Sequence, residues 1–239
     1  MTDRLYYEDS HLTEFPAMVT ACEQEKDYWK VALDQTAFFP EGGGQVGDTG
    51  HLGEIEVFDT HEKNGEIWHY TRQPLEVGAE VKGVLDWEKR FSRMQQHSGE
   101  HIVSGLIHTR FGYDNVGFHL GEEEVTMDFN GPITKEELLE IETAANQVVF
   151  GNVPIQISYP SKEELAVLDY RSKIEIEGQV RIVTIPDIDV CACCAPHVNT
   201  TGEIGLIKLT NVQSHRGGVR VNLLAGDRAL RDYREKETS

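Results

Sequence analysis

The sequence predicts an α+β fold: a small N-terminal antiparallel β-barrel over residues 1–86, followed by a larger α+β unit over residues 87–239. Three observations predict it. The first part of the chain is a series of short apolar segments separated by Gly, Asn and Asp, the pattern of a small antiparallel barrel. At Trp87 the periodicity turns helical and stays so to Gly112, with no proline between. Beyond Gly112, strand-like and helix-like segments are mixed.

In the barrel segment, Phe15, Ala17, Val19 and Ala21 alternate with more polar residues, as in a half-buried strand. The segments YWKVALD, EIEVFDT, EIWHYTR (after the turn pair Asn64-Gly65) and EVKGVLD follow as further strands. Asp86 stands where a helix N-cap belongs. The long helix then carries WEKRFSRMQQHSGEHIVSGLIHTRFG. Two strands are expected near Val116–His119 and Val125–Phe129. Thr134 with Glu137, and Ser161 with Glu164, each read as a capping box opening a helix. Strands are expected at PIQISY, QVRIVTI, EIGLIKL and GVRVNLL, and a short charged helix closes the chain.

Composition bounds the function. Hydrophobic residues at 39% and charged residues at 26% are ordinary for a folded chain, which argues against disorder. No apolar run approaches the roughly 18 residues of a membrane span, and the N-terminus lacks the basic-then-apolar order of a signal peptide. A cytoplasmic protein, without membrane contact and monomeric, is the expectation. A net charge of −19 argues against a broad, non-specific grip on nucleic acid, which needs Lys and Arg against phosphates.

The four cysteines are Cys22, Cys191, Cys193 and Cys194. Adjacent or near-adjacent cysteines make a strained or trivial disulfide, so the cluster points instead to metal or reactivity. His97 and His101 sit four apart in the long helix, which puts both imidazoles on one face. Ser98 and Glu100 between them exclude the HExxH of zinc proteases. Cys193 and His197 in CCAPH repeat the four-residue spacing. Imidazole with thiolate favours zinc, so one Zn2+ per chain is expected at these positions. Cys191 and Cys194 are close substitutes for Cys193 as the sulfur ligand. Four protein ligands describe a closed structural site, whereas catalytic zinc keeps a position open. The choice between a supernumerary candidate and a zinc that expands its coordination therefore stands open.

The segment FFPEGGGQVGDTG is glycine-rich but is neither a Walker loop nor a dinucleotide fingerprint. It is a barrel turn or a place where backbone approaches a ligand. Gln45 is its one polar side chain suited to reading a ligand.

Taken in order, TAFFPEGGGQVGDTG, RMQQHSGEHIVSGLI, VGFHLGEEEVTMDFN, CCAPHVNTTGEIG and SHRGGVRV resemble the editing domain of alanyl-tRNA synthetase and its free-standing relatives, the AlaX proteins. The resemblance covers nearly the whole chain and looks like the medium-length AlaX type. It implies zinc at His97, His101, Cys193 and His197. It also implies hydrolysis, in trans, of the ester joining a wrong amino acid, chiefly serine and sometimes glycine, to the acceptor end of tRNA(Ala). The synthetase's usual CGGTH is here CCAPH, which keeps the ligand types but bears on the loop's shape and on selectivity.

For that chemistry the residues offer further candidates. Zinc activates water or polarises the carbonyl. His119 is the candidate acid/base, or a reader of the serine hydroxyl; Asp128, nearby, reads as structural. A hydrophobic site discriminates against an added hydroxyl by only about a hundredfold, whereas a site that hydrogen-bonds serine rejects alanine more sharply. Thr36 and Gln45, with Gly43 and Gly44, are candidates for that substrate contact. Lys89, Arg90 and Arg93, with Lys208, Arg216 and Arg220, are candidates to meet the tRNA, and Gly217-Gly218 would permit close backbone approach. The rival readings are a zinc hydrolase of small esters, a non-catalytic module pinned by structural zinc, and a redox sensor built on the cysteines.

Overall fold

Alternation along Glu14–Gln24 builds the first long strand: Phe15, Ala17 and Val19 are buried, while Glu14, Pro16, Met18 and Thr20 are exposed. The structure, a computed structural model, describes residues 1–239 and divides into two compact units, Met1–Phe91 and Ser92–Ser239.

In the first unit six antiparallel strands close on themselves. Their order around the barrel is Glu14–Gln24, Trp29–Leu33, Glu66–Thr71, Ile55–Lys63, Gly50–Leu52 and Glu80–Leu85. Phe15, Val19, Val31, Leu33, Phe38, Leu52 and Val57 fill the interior. The Asn64-Gly65 turn has positive φ at both positions (52° and 78°), as a two-residue hairpin turn of the right twist requires. Gly83 leaves room for the Phe15 ring, because a Cβ there would lie 2.3 Å from its Cζ. Of these six barrel strands the sequence reading lacks one, Gly50–Leu52, which is only three residues long and emerges from the glycine-rich segment.

That segment is a turn followed by a packed strap. Gly42 and Gln45 exchange two backbone hydrogen bonds of 3.0 Å, around Gly43 (φ 60°) and Gly44 (φ 83°). A Cβ on Gly47 would fall 2.1 Å from the Thr60 carbonyl oxygen, so only glycine lets the strap lie on its neighbouring strand. Asp48 then fixes the end of the strap. Its carboxylate accepts from the Phe39 amide (2.8 Å) and from Arg90 Nη1 (2.5 Å), and Arg90 also donates to the Ala37 carbonyl (3.1 Å). Both charged side chains are 1% exposed.

Two expectations are corrected here. Arg90 is not a surface cation able to meet RNA, because its charge is committed to Asp48 inside this unit. Thr36 is fully buried, with its oxygen 2.8 Å from His69 Nε2. Burial lowers the His69 pKa to about 4, and its Nδ1 lies 2.8 Å from the Val31 carbonyl. The neutral ring therefore donates from Nδ1 and accepts at Nε2, so the Thr36 hydroxyl proton goes to His69 and is not left to read a substrate.

The second unit holds a four-stranded antiparallel sheet in the order Ile207–His215, Gly218–Ala225, Val125–Phe129, Asn115–Leu120, and a three-stranded one of Gln156–Ser158, Ile182–Ile185 and Asp189–Ala192. Both capping boxes form, at Thr134–Glu137 and Ser161–Glu164, opening helices Lys135–Gly151 and Lys162–Val167. The strand expected from Glu203 begins only at Ile207 and runs to His215. Thr201–Ile204 is a 3-10 turn closed by Gly205 at φ 83°.

The helix Trp87–Phe111 is buried on every side from Ser92 to Gly105. A helix buried all round is expected to be apolar, yet this stretch carries Gln95, Gln96, His97, Ser98, Glu100, His101 and Ser104. Each such group needs a partner. Gln96, for instance, donates to the Ala225 carbonyl (2.8 Å) and accepts from its amide (2.7 Å).

Asp48→Ala would leave Arg90 buried without its counter-charge. Breaking a buried pair from one side costs about 3–5 kcal/mol, and denaturant unfolding of the variant should show a loss of that order.

Candidate metal centre

Four residues apart on a helix is about one turn, so His97 and His101 present their rings side by side, with centroids 5.1 Å apart. The loop after Asp189–Ala192 brings Cys193 and His197 to the same place. One ligand atom from each of His97, His101, Cys193 and His197 lies within 4.8 Å of every other. Cys193 Sγ is 3.7 Å from His97 Nε2 and 3.5 Å from His197 Nε2. The three histidines are 2–3% exposed.

The surroundings aim these groups. His197 Nδ1 lies 2.9 Å from Ser98 Oγ, which also accepts from the Val198 amide (3.3 Å). With Nε2 turned to the cluster as acceptor, Nδ1 carries the proton and donates to the serine. His101 Nδ1 faces Asp189 Oδ2 at 3.5 Å, and Arg171 grips that carboxylate from Nε (2.7 Å) and Nη2 (2.8 Å). Arg181 Nη1 donates to the carbonyls of Cys193 (3.1 Å) and Ala195 (2.6 Å), which holds the loop closed. Gly105 allows this approach, since a Cβ there would fall 2.5 Å from the Ile188 carbonyl oxygen.

The electrostatics prepare Cys193 and His197 for ligation. Burial pushes the Cys193 thiol up, but the adjacent His97, His101 and His197 outweigh it and hold the thiol well below its usual range. Burial lowers His197 to about 3, leaving a neutral ring. Burial raises Cys191, which therefore stays a thiol, while Cys194 is exposed. Cys193 is the sulfur donor the geometry selects. Three imidazoles and one thiolate are a donor set that fits a divalent metal ion. His101 is shared with a second buried group, His101, Asp189 and Cys191; its Asp189 serves to orient the histidine.

His119 is corrected. Side chains alternate along a strand: Phe118 packs on the His97 ring (centroids 4.9 Å apart), so His119 points to the other face, where it is exposed opposite Thr126. Asp128 is structural, held by a two-point ion pair with Arg220 (2.7 and 2.9 Å). That pair commits Arg220 to the sheet. Lys208 lies 3.8 Å from Glu142, and Arg93 is buried. Gly218 is needed for sheet packing, because a Cβ there would overlap the Phe129 carbonyl at 1.8 Å. Arg216 (φ 47°) and Gly217 (φ 82°) form an exposed hairpin tip. In the first unit Gln45 is buried, and Gly43 and Gly44 are exposed at the tip of their turn.

Glu100 is the residue the sequence reading missed. It is buried, and its Oε2 lies 3.6 Å from His101 Nε2. Burial opposes its ionisation, but Lys173, then His101, Arg171 and His97, bring its pKa to about 2. The available signal was a carboxylate three residues after His97 and one before His101, in a helix that buries every face.

Residues 180–221 match the threonyl and alanyl tRNA synthetase second additional domain, and residues 3–89 match the model of class II (A) tRNA synthetases. Alanyl-tRNA editing protein AlaX-L of Pyrococcus horikoshii is 36% identical over 98% of this chain and 62% of its own length. Alanyl-tRNA editing protein Aarsd1 of Danio rerio is 32% identical over 95% of this chain and 59% of its own. The alanine–tRNA ligase of Natronomonas pharaonis is 37% identical over 96% of this chain, which spans 26% of the ligase. The chain thus spans about three fifths of the editing relatives it matches.

Removing the group that orients a ligating histidine costs about 10–100-fold in metal affinity. Ser98→Ala should therefore lose divalent metal to a competing chelator at a concentration lower by about that factor, with the fold intact by circular dichroism.

Proposed function

We propose that this chain is an alanyl-tRNA editing protein that hydrolyses mischarged tRNA(Ala), chiefly seryl-tRNA(Ala) and also glycyl-tRNA(Ala), acting in trans at a zinc ion. The observation that carries the reading is the convergence of His97, His101, Cys193 and His197 within 4.8 Å, in a chain similar along its length to proteins named for that editing.

Zinc held by these four residues supplies Lewis acidity toward an ester carbonyl and lowers the pKa of water. The chain's own residues do the rest. Ser98 fixes the tautomer and plane of His197, and the Asp189 carboxylate faces His101 Nδ1 at 3.5 Å. Arg181 fixes the backbone of the CCAPH loop, whose departure from CGGTH bears on the choice of amino acid. Phe118 covers the His97 ring and bounds the space beside it. The exposed turns Gly43-Gly44 and Arg216-Gly217 are the proposed backbone contacts to the acceptor end, with Gln45 supporting the first of them.

No helix is long and apolar enough to cross a membrane. No disulfide joins the four cysteines, as is usual in a reducing compartment, and the cytoplasm is the proposed setting, with a monomer as the acting form.

A second reading, a non-catalytic clasp, is favoured by the four-ligand set, which closes a tetrahedral site. Single-turnover hydrolysis of seryl- and alanyl-tRNA(Ala) separates the two. The zinc-loaded protein should release serine and spare alanine, and the His97→Ala, His101→Ala double variant should release neither. Survival of both tRNAs with the native, metal-loaded protein would leave only the clasp.

A further inference from the structure

Glu100 has no part in gathering the four candidate ligands, yet it stands beside them with its carboxylate 2% exposed. Its Oε1 accepts from Asn115 Nδ2 (2.7 Å) and Ser104 Oγ (3.2 Å), and Lys173 Nζ lies 3.4 Å away. Its Oε2 lies 3.6 Å from the His101 nitrogen turned away from Asp189. The two neutral donors fix the carboxylate's orientation, and a cation meets its charge.

That cation comes from outside the core. Lys173 is 35% exposed and belongs to Ser172–Gln179, a stretch of exposed residues. Its ammonium also lies 4.8 Å from the centroid of Phe118, the ring that packs on His97. A primary ammonium therefore sits between a carboxylate and an aromatic face, one side chain away from a metal ligand. Those two groups together are what recognises an ammonium ion. An aminoacyl ester carries such a group on the carbon next to the carbonyl that is to be cleaved.

We propose that Glu100 and Phe118 form the subsite for the substrate's free α-ammonium, and that Lys173 holds this place until an aminoacyl end displaces it. The proposal rests on the deacylase reading above and deepens it. The exposed stretch lets Lys173 withdraw without opening the core, and Glu100 exchanges one ammonium for another without being left unpaired. A consequence is selectivity for unblocked aminoacyl ends, so that N-acylated and peptidyl esters are refused.

The test uses the zinc-loaded full chain and two non-cleavable probes: the seryl amide of 3′-amino-3′-deoxyadenosine, and the same compound N-acetylated. Calorimetry should show the free amine binding at least about tenfold tighter, as a hydrogen bond to a charged group allows. In Glu100→Gln, with zinc content unchanged, that preference should fall to within about twofold. Equal binding of the two probes by the native protein, which needs no variant, would overturn the subsite, as would a Glu100→Gln protein that keeps the preference. Hydrolysis of seryl-tRNA(Ala), measured alongside, separates the two failures. No hydrolysis overturns the deacylase reading, and hydrolysis with equal probe binding overturns only the ammonium subsite.

Discussion

Three buried imidazoles and a half-buried thiol within 4.8 Å of one another are the constraint around which the second unit is organised. Burying polar groups without partners is expensive, and lone pairs converging on one point have no protein partner that serves all of them. A cation meets that need, provided each ring turns the correct nitrogen inward. The outer nitrogens are tied accordingly, His197 to Ser98 and His101 toward Asp189, with Arg171 in turn tying Asp189. Of the polar residues that make the long helix anomalous for a buried one, Gln95 and Gln96 bond the backbone of Glu203 and Ala225, whereas Ser98 belongs to this supporting set. Gly105 belongs to it as well, because its missing side chain is what brings the helix against Ile188 and Asp189.

The first unit solves a smaller problem of the same kind. The Gly42–Gly50 segment is too poor in side chains to pack by itself. Two glycines make its turn, a third lets it touch the next strand, and Asp48 locks its end to Arg90. A buried ion pair is weak evidence of net stability against an apolar replacement. Its value here lies in orientation: one carboxylate simultaneously meets the Phe39 amide and the guanidinium that reaches Ala37.

What was legible in the sequence follows from which physical rule applies. Helical spacing is rigid, so the four-residue interval placed His97 beside His101, and the CxxxH spacing supplied the other half. Capping boxes are local, and both formed where Thr134 and Ser161 announced them. The CxxxH spacing named Cys193, but what sets Cys191 apart was not legible: it lies in a four-residue strand, paired with Val183, that no pattern signalled. His119 failed for a related reason. A strand shows alternate residues to opposite faces, and only the packing of Phe118 on His97 says which face meets the site. Arg90 and Arg220 failed because a charge in a sequence says nothing of burial or of its partner: Asp48 and Asp128 are each distant in the chain and adjacent in space.

Those ion pairs bear on how an acidic chain deals with RNA. Of the cations that sequence reading assigned to tRNA, Arg90 is buried against Asp48, Arg220 is bound to Asp128, and Lys208 faces Glu142. Lys89 and Arg216 remain exposed, against a net charge of −19. Phosphate contacts supply affinity in proportion to the cations available, so the body of the proposed tRNA substrate would contribute little. Under the proposed function, recognition then shifts to the aminoacyl end, where a few well-oriented polar groups discriminate more sharply than a large weak surface. A buried carboxylate beside the candidate metal centre, already shaped around an ammonium, is the kind of group such a division of labour requires.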